Sequence, residues 1–261
     1  YYASRGLGDV YKRQVMKIAY EEEFIEKEFI KMYKKGKILI TLAGEKVGSV
    51  NGLAVLDTGY YSFGRPIRIT CVAYKGTGRI VDIQKESNLS GKIHEKSISI
   101  LRGLLSSLLN TYENIPVDFH ISFEQTYGIV DGDSASIAEI IALLSALSKY
   151  KVKQNIAVTG SVNQFGEVQA IGGVSEKIEG FYKVCKIMDT IENKGVLIPT
   201  SNRDELIILP EVEEAIINNK FHIYTMENLN DAIEVLMLDE GQTLEMFYED
   251  IKKELKKYST K

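Results

Sequence analysis

The sequence predicts a globular domain that combines strands and helices around a sizeable core. Apolar and polar residues alternate from Val117 to Phe123, which predicts a half-buried strand. Residues 135–150 are apolar on nearly every side, which predicts a helix buried at the centre of the domain. The 261 residues, of which 44% are hydrophobic, suffice for one large domain or two small ones.

The first half of the chain is expected to be rich in strands. A charged helix is predicted over residues 18–35, with Gly36 as its stop. Another helix is predicted from Ile93 to Thr111. The predicted strands cover residues 38–42, 47–56, 67–73 and 79–84, with a turn at 44–46, a loop at 60–66 and a hairpin turn at 75–78.

Shorter elements are expected to follow the buried helix. The predicted strands cover residues 154–162, 167–170, 195–199 and 221–225, and the predicted helices cover residues 174–186, 211–218 and 228–238. A last, charged helix carries one apolar stripe, which predicts a packing or assembly surface. The stripe consists of Leu244, Phe247, Ile251 and Leu255.

Charge and cysteine content exclude several classes of protein. A net charge of -4 leaves no basic footprint for nucleic acid. No run approaches the roughly 18 apolar residues that span a membrane, and no signal peptide is visible, so a membrane partner is not expected. Cys71 and Cys185 form neither a disulfide framework nor a zinc site. A reducing, cytoplasmic setting and no metal are therefore predicted.

The two ends of the chain differ from its middle. Residues 1–14 fit no amphipathic pattern and look like a non-native, adaptor-derived segment. Residues 15–36 are expected to be a helical linker from a missing upstream domain. Residues 37–240 are then the main domain, and residues 241–261 are the charged C-terminal helix.

Ser134 is the candidate nucleophile, because it stands where the buried helix begins. Backbone N–H groups and the helix dipole at that point favour developing negative charge, as an oxyanion hole requires. A serine hydroxyl needs a base, and a lysine whose pKa is lowered by burial can act as one. Lys177 lies on a helix entered through Gly172-Gly173, and Thr159 ends a strand between the two, placed to hold the lysine.

Each of these residues, taken alone, also has an ordinary structural interpretation. Asp133 or Ser134 before an apolar helix is usually an N-cap. Lys177 in a first helical turn is usually a solvated charge, and Gly172-Gly173 is usually a turn. The assignment therefore depends on the residues as a set.

As a set, these motifs resemble the proteolytic domain of Lon proteases over about residues 37–238. The resemblance is to the branch whose serine follows Gly-Asp, the archaeal-like and divergent bacterial Lon-like proteases. The matching motifs are Asp131-Gly132-Asp133-Ser134-Ala135, Ala157-Val158-Thr159-Gly160-Ser161, Gly166-Glu167-Val168, Ile171-Gly172-Gly173-Val174 with Lys177-Ile178, Val50–Leu56 and Tyr61–Pro66.

The resemblance implies an α+β fold, ribosomal protein S5 domain 2-like, with mixed sheets packed against helices. It implies a serine peptidase in which Ser134 is the nucleophile, Lys177 the base, and Thr159 and Asp133 supporting residues. Asp131 falls at an acidic position whose role the resemblance leaves open. A homo-oligomeric, hexameric ring whose active sites face an inner chamber, and unfolded or damaged protein substrates, are also implied.

The chain has no Gly-x-x-x-x-Gly-Lys-Ser/Thr phosphate loop. No cofactor is therefore expected on these residues. If ATP is used, it would bind with magnesium on an upstream ATPase module.

Two other interpretations stay open at this point. Asp118 and His120 share one face of the predicted strand and would give a histidine-based triad with Ser134. Glu124 on the same face would be a groove residue or a surface charge, and His94 and His222 are expected to be isolated, structural or surface residues.

The other interpretation belongs to a different class, a non-catalytic assembly or chaperone-like module that retains the fold. A related hypothesis is that the loop from Gly128 to Gly132 becomes ordered only on oligomerisation.

Overall fold

The computed structural model describes residues 12, 16–17, 24–57, 59, 61–109 and 115–259. Nearly all of the expected adaptor segment, the start of the first predicted helix and residue 111 lie outside this part of the chain.

A seven-stranded mixed sheet forms the centre of the domain. The strands are β1 (Glu45–Lys46), β2 (Ser49–Asp57), β3 (Ser62–Lys75), β4 (Ile80–Asp82), β5 (Val117–Phe123), β6 (Val152–Lys153), β7 (Ile156–Val158), β8 (Ser161–Val162), β9 (Val168–Gln169), β10 (Lys194–Pro199) and β11 (Phe221–Met226). The order in the large sheet is β11-β10-β7-β2-β3-β5-β4. β2, β3 and β5 pair antiparallel, and the remaining pairs are parallel. Two small sheets pair β1 with β6 and β8 with β9.

Helices cover both faces of this sheet. They are α1 (residues 24–34), α2 (Ile83–Glu86), α3 (Lys92–Leu108), α4 (Ser136–Ser148), α5 (Val174–Met188), α6 (Pro210–Ile217), α7 (Leu229–Met237) and α8 (Leu244–Ser259), with a 3-10 turn at Thr200–Glu205. One core lies between the sheet and α3, α4, α7 and α8. The other lies between the sheet and α1, α5 and α6. The result is a three-layer domain with the sheet in the middle.

The buried central helix is confirmed, since every residue of α4 is buried. Its three serine hydroxyl groups take part in hydrogen bonds. Ser145 Oγ accepts a hydrogen bond from Gly48 N and donates one to the carbonyl of Tyr150. A helix that is apolar on all sides can therefore be enclosed without unpaired hydroxyl groups.

The expected hairpin at residues 75–78 is wrong. β5 lies between β3 and β4, pairing antiparallel with the first and parallel with the second. The cause is Asp118 on β5, whose carboxylate accepts hydrogen bonds from the backbone N–H groups of Thr77 and Arg79 and from the Arg79 side chain. With these hydrogen bonds the chain passes the end of β5, and the next strand, β4, pairs with β5 and not with β3.

β4 also ends two residues before its predicted end. Asp82 accepts a hydrogen bond from Gln84 N and caps α2, so the strand predicted to reach residue 84 stops at residue 82.

Other strands begin or end at residues different from those predicted, because their backbone groups form hydrogen bonds with side chains or with strands distant in the sequence. Residues 38–42 form no strand, and Gln125 bonds to Leu39 N and to the carbonyl of Lys37 instead. β3 begins at Ser62, so most of the expected loop at 60–66 is strand paired with β2. The expected strand at 154–162 is divided at Thr159, whose N–H donates to the Leu197 carbonyl.

The first and last described helices pack onto the domain. The Tyr33 hydroxyl of α1 donates to the Pro66 carbonyl at 2.7 Å, and Ile30 beside it is buried. Phe24 and Ile25, at the start of α1, are exposed. At the other end, the predicted stripe of α8 is a packing surface, since Phe247, Ile251 and Leu255 are buried. Within the described part of the chain, every helix is too short or too polar to cross a bilayer.

Candidate active site

Ser134 lies in the two-residue turn that leads into α4, at the end of the loop that follows β5. Its carbonyl accepts hydrogen bonds from Gly160 N at 2.8 Å and from Thr159 Oγ1 at 3.0 Å. Thr159 is fully buried. The break between β7 and β8 therefore holds the backbone of the candidate nucleophile. Among the described hydrogen bonds, Thr159 is joined to the serine segment and not to the lysine.

The first turn of α4 is bound to β8 by further hydrogen bonds. Ser136 Oγ accepts a hydrogen bond from Val162 N at 2.9 Å, and Ile137 N donates to the Gly160 carbonyl at 3.2 Å. Asp133 Oδ2 accepts a hydrogen bond from Ser161 Oγ at 2.9 Å. The sequence neighbours of Ser134 are thus fixed on both sides, which reduces the freedom of its side chain.

Asp131 caps a different helix from the one that Ser134 precedes. Its Oδ1 accepts hydrogen bonds from Ile93 N at 3.0 Å and His94 N at 3.3 Å, in the first turn of α3. It also accepts one from Gly132 N, and these backbone donors hold the Asp131 pKa below its usual range. Gly132 itself has φ of +99°, where a side chain would be strained. Asp131 therefore attaches the serine loop to α3.

Lys177 lies in the first turn of α5 and is 2% exposed. Burial lowers the pKa of its ammonium to about 8, although the carboxylates of Asp133 and Glu176 act in the opposite direction. No ion pair or side-chain hydrogen bond of Lys177 is found among the described residues, and its Nζ is not fully enclosed, so the amine keeps some contact with solvent. The charge of Asp133, the residue before Ser134, acts on this ammonium.

Two glycines allow α5 to approach the sheet closely. A Cβ on Gly180 of α5 would overlap the carbonyl of Gly64 on β3, and a Cβ on Gly64 would overlap the carbonyl of Glu176. Any side chain at either position would push the helix away. This backbone contact brings the first turns of α5 close to β3, and Lys177 is buried there.

A groove of about 220 Å³ reaches Ser134 from the side of β2. Its walls are residues 52–56 of β2 and residues 128–132 of the serine loop. β7 pairs with β2 only at Asn51 and Gly52, so the later residues of β2 have no β7 partner on that side. The groove therefore presents a strand edge next to the candidate nucleophile.

The structure does not support the alternative histidine triad. Asp118 is committed to the turn at Thr77 and Arg79. His120 Nε2 lies 2.8 Å from the Tyr74 hydroxyl, and neither Asp118 nor His120 lines the groove at Ser134. Glu124 accepts a hydrogen bond from Thr70 Oγ1 and has a structural role in the sheet.

The expectation that His94 is isolated is wrong. Its ring is 1% exposed, with Nε2 3.1 Å from Asp82 and Nδ1 3.5 Å from Glu139 of α4. Glu139 is fully buried, and burial raises its pKa to about 7. This cluster was not predicted from the sequence. The signal that could have revealed it is Glu139 within a largely apolar helix, because a buried carboxyl group needs a partner.

Comparison with known proteins agrees with this architecture. Residues 23–239 match the family described as the Lon protease (S16) C-terminal proteolytic domain. A Lon protease homolog of Escherichia coli (strain K12) is 42% identical over 213 residues, covering 79% of this chain and 36% of that protein. The archaeal Lon protease of Methanocaldococcus jannaschii is 34% identical over 208 residues, covering 72% of this chain and 31% of that protein.

The fold and the matched region define a proteolytic domain, of mixed α/β architecture and built on a mixed sheet. The chain belongs to the Lon protease family. It spans about one third of the length of the relatives described above.

Proposed function

We propose that this chain is the proteolytic part of a Lon-type serine endopeptidase that uses a Ser134–Lys177 dyad. The observation that carries the proposal is the buried Lys177, with a pKa lowered to about 8 and no counter-ion contact among the described residues. Burial of an unpaired lysine costs stability, so a chemical role is its best explanation. The charge of Asp133, the residue before Ser134, acts on Lys177 and supports the same role.

In the first step, neutral Lys177 takes the proton of Ser134 Oγ as that oxygen attacks the carbonyl carbon of a peptide bond. The carbonyl oxygen becomes an oxyanion, which backbone N–H groups at the start of α4 and the helix dipole would stabilise. The Lys177 ammonium then gives its proton to the leaving amine, and an acyl-serine remains. A water molecule that Lys177 deprotonates releases the acid and restores the serine.

Asp133 and Thr159 are proposed as supporting residues. The Asp133 carboxylate limits how far burial lowers the Lys177 pKa, and Thr159 holds the Ser134 backbone. The groove beside β2 suits an extended peptide, because a strand edge offers backbone groups to any sequence. Unfolded or damaged proteins are therefore the proposed substrates.

The proposal extends to features of the whole protein. We propose a homo-oligomeric ring of six chains with the active sites facing an inner chamber, and a cytoplasmic setting. The fold is proposed to be ribosomal protein S5 domain 2-like. ATP with magnesium would act on a separate ATPase module, since these residues have no phosphate loop.

Degradation of casein by the unmodified chain, with and without magnesium ATP, tests the dyad. Ser134→Ala and Lys177→Ala are expected to lower the rate by about a thousandfold or more, since each removes a partner of the same step. The matched controls are Ser107→Ala, on the exposed side of α3, and Lys186→Ala, an exposed lysine on the same helix as Lys177. Both controls are expected to keep full activity.

Two outcomes would contradict the proposal. Cleavage that survives Ser134→Ala would exclude this nucleophile. Casein binding without cleavage by the unmodified chain, in both conditions, would favour a non-catalytic module instead.

A further inference from the structure

Three ionisable side chains meet in the interior behind the Ser134 loop, and the proposed mechanism uses none of them. His94 of α3 lies between Asp82, which caps α2, and Glu139 of α4. Each of the three side chains is 1% exposed or less. The His94 ring also packs edge-on against Phe123, with 5.3 Å between ring centroids. The cluster thus joins three helices and the end of β5.

The charges of the cluster depend on one another. Burial lowers the pKa of His94, but the Asp82 carboxylate at 3.1 Å and then the charge of Glu139 outweigh it and leave the pKa raised. Among the described residues, both oxygens of Glu139, Nε2 of His94 and Oδ2 of Asp82 lack a well-aligned hydrogen bond, so these groups face one another only at the ion-pair distances of 3.1 and 3.5 Å. Removal of the imidazole would leave two carboxyl groups buried without a cation.

The backbone of His94 is tied to the serine loop. Its N–H and that of Ile93 both donate to Asp131, three residues before Ser134. A pair of hydrogen bonds continues this attachment, from Gly91 N to the Val130 carbonyl and from Val130 N to the Leu89 carbonyl. The first turn of α3 therefore supports one end of the segment 130–135, and the first turn of α4 supports the other.

His94 joins these two supports. Its backbone holds Asp131, while its side chain reaches Glu139 in the first turn of the helix that Ser134 precedes. The imidazole therefore lies between α3 and α4 at this level. A change in the spacing of these two helices would move the two ends of the serine segment relative to each other.

We propose that His94 is a positioning residue, which fixes the first turns of α3 and α4 to each other and so holds Ser134 in place. The proposal rests on the proposed function of Ser134 as the nucleophile. His94 itself touches no reacting group. Its contribution is geometric, and displacement of a nucleophile by about 1 Å can cost about a hundredfold in rate.

Amide hydrogen exchange and peptidase kinetics on the full chain test this proposal together. His94→Ala is expected to raise exchange at residues 126–135 by about tenfold or more, while exchange in α7 stays as in the unmodified chain. kcat for a fluorogenic peptide is expected to fall about 10- to 100-fold, with a smaller change in KM. Val212→Ala, a fully buried residue in the core of the opposite face, is the control for general destabilisation.

Two further variants keep the test decisive if His94→Ala does not fold. Asp131→Ala removes only the link from α3 to the loop, at an exposed position, and should also raise exchange at residues 126–135. The double variant His94→Gln with Glu139→Gln replaces the bridge with neutral amides that can bond to each other. It should restore part of the lost kcat.

Exchange that rises uniformly, or in the same way as in Val212→Ala, would overturn the positioning role even if the chain cleaves peptides. Selective exchange at residues 126–135 in a chain that never cleaves would instead support the positioning role and contradict the proposed function.

Discussion

The Lys177 ammonium determines how the proposed activity should depend on pH. Burial lowers its pKa to about 8, and only the neutral amine accepts the serine proton. The rate of peptide cleavage is therefore expected to rise with pH through about 8 and to level off above it. Lys177→Arg should be inactive throughout, because a guanidinium stays protonated.

A profile of kcat/KM between pH 6 and 10 checks this expectation. A rate that is constant over that range, or that rises with a midpoint near the 6.5 typical of histidine, would argue against a lysine base.

Asp133 should shift that profile in a known direction. Its carboxylate raises the Lys177 pKa against the larger effect of burial, and Glu176 makes the next contribution. Asp133→Asn keeps a side-chain oxygen for Ser161 and removes the charge. The midpoint should therefore move to lower pH, and it should move less in Glu176→Gln. The pH profiles of the two variants provide the measurement, and a shift to higher pH in either would be inconsistent with the assigned environment.

The sequence made Ser134 and Lys177 the candidate residues because their neighbours form recognisable local motifs. It did not identify the roles of Asp131 and His94, since those depend on contacts between residues far apart in the chain. Asp131 binds the backbone of His94, and His94 meets Asp82 and Glu139. Nothing local to any of these residues specifies that meeting.

The elements that were predicted best are those with a strong periodic pattern of their own. β5, α4 and α5 lie within two residues of their predicted limits. The hairpin at residues 75–78 failed because strand pairing is decided by a third strand, β5, which comes later in the chain. Local patterns predict an element, whereas its partner in the sheet depends on long-range packing.

The contact between α5 and β3 is expected to be sensitive to a single methyl group. Gly180→Ala places a Cβ against the Gly64 backbone, which cannot move aside cheaply. The free energy of unfolding should fall by about 2 kcal/mol or more, and Lys177 should move from its buried position. Urea unfolding and the casein assay provide the measurements.

Gly103→Ala is the matched control for this helix substitution. Its Cβ would meet only the Gln164 side chain at 3.5 Å, an ordinary contact. Since alanine is the better helix former, this variant should gain about 1 kcal/mol. A loss of stability in Gly103→Ala equal to that in Gly180→Ala would contradict the close approach of α5.

The described part of the chain has two cores separated by the sheet, and the two residues of the proposed dyad lie at the starts of helices that pack in different cores. Ser134 leads into α4 on one face, and Lys177 belongs to α5 on the other. The Ser134 segment is bound where β7 ends, by the hydrogen bond from Thr159, and the charge of Asp133 in this segment acts on Lys177. Sequence patterns predicted that α4 is buried and that α8 has an apolar stripe, but the position of the break required the pairing of β7 with both of its neighbours.

The last helix should matter to the stability of the entire domain, because α8 covers the side of α4 that faces away from the sheet. Phe247 is fully buried and packs edge-on against Tyr150 at 5.1 Å, just beyond the end of α4. Phe247→Ala should lower the free energy of unfolding by about 3–5 kcal/mol, since it removes a large buried ring and leaves a cavity. Met246 beside it is 48% exposed, so Met246→Ala should change stability by less than about 0.5 kcal/mol. Urea unfolding of both variants separates the two cases. Equal, small effects would mean that α8 lies loosely on the domain, and that α4 is held in place by the sheet, α3 and α7 alone.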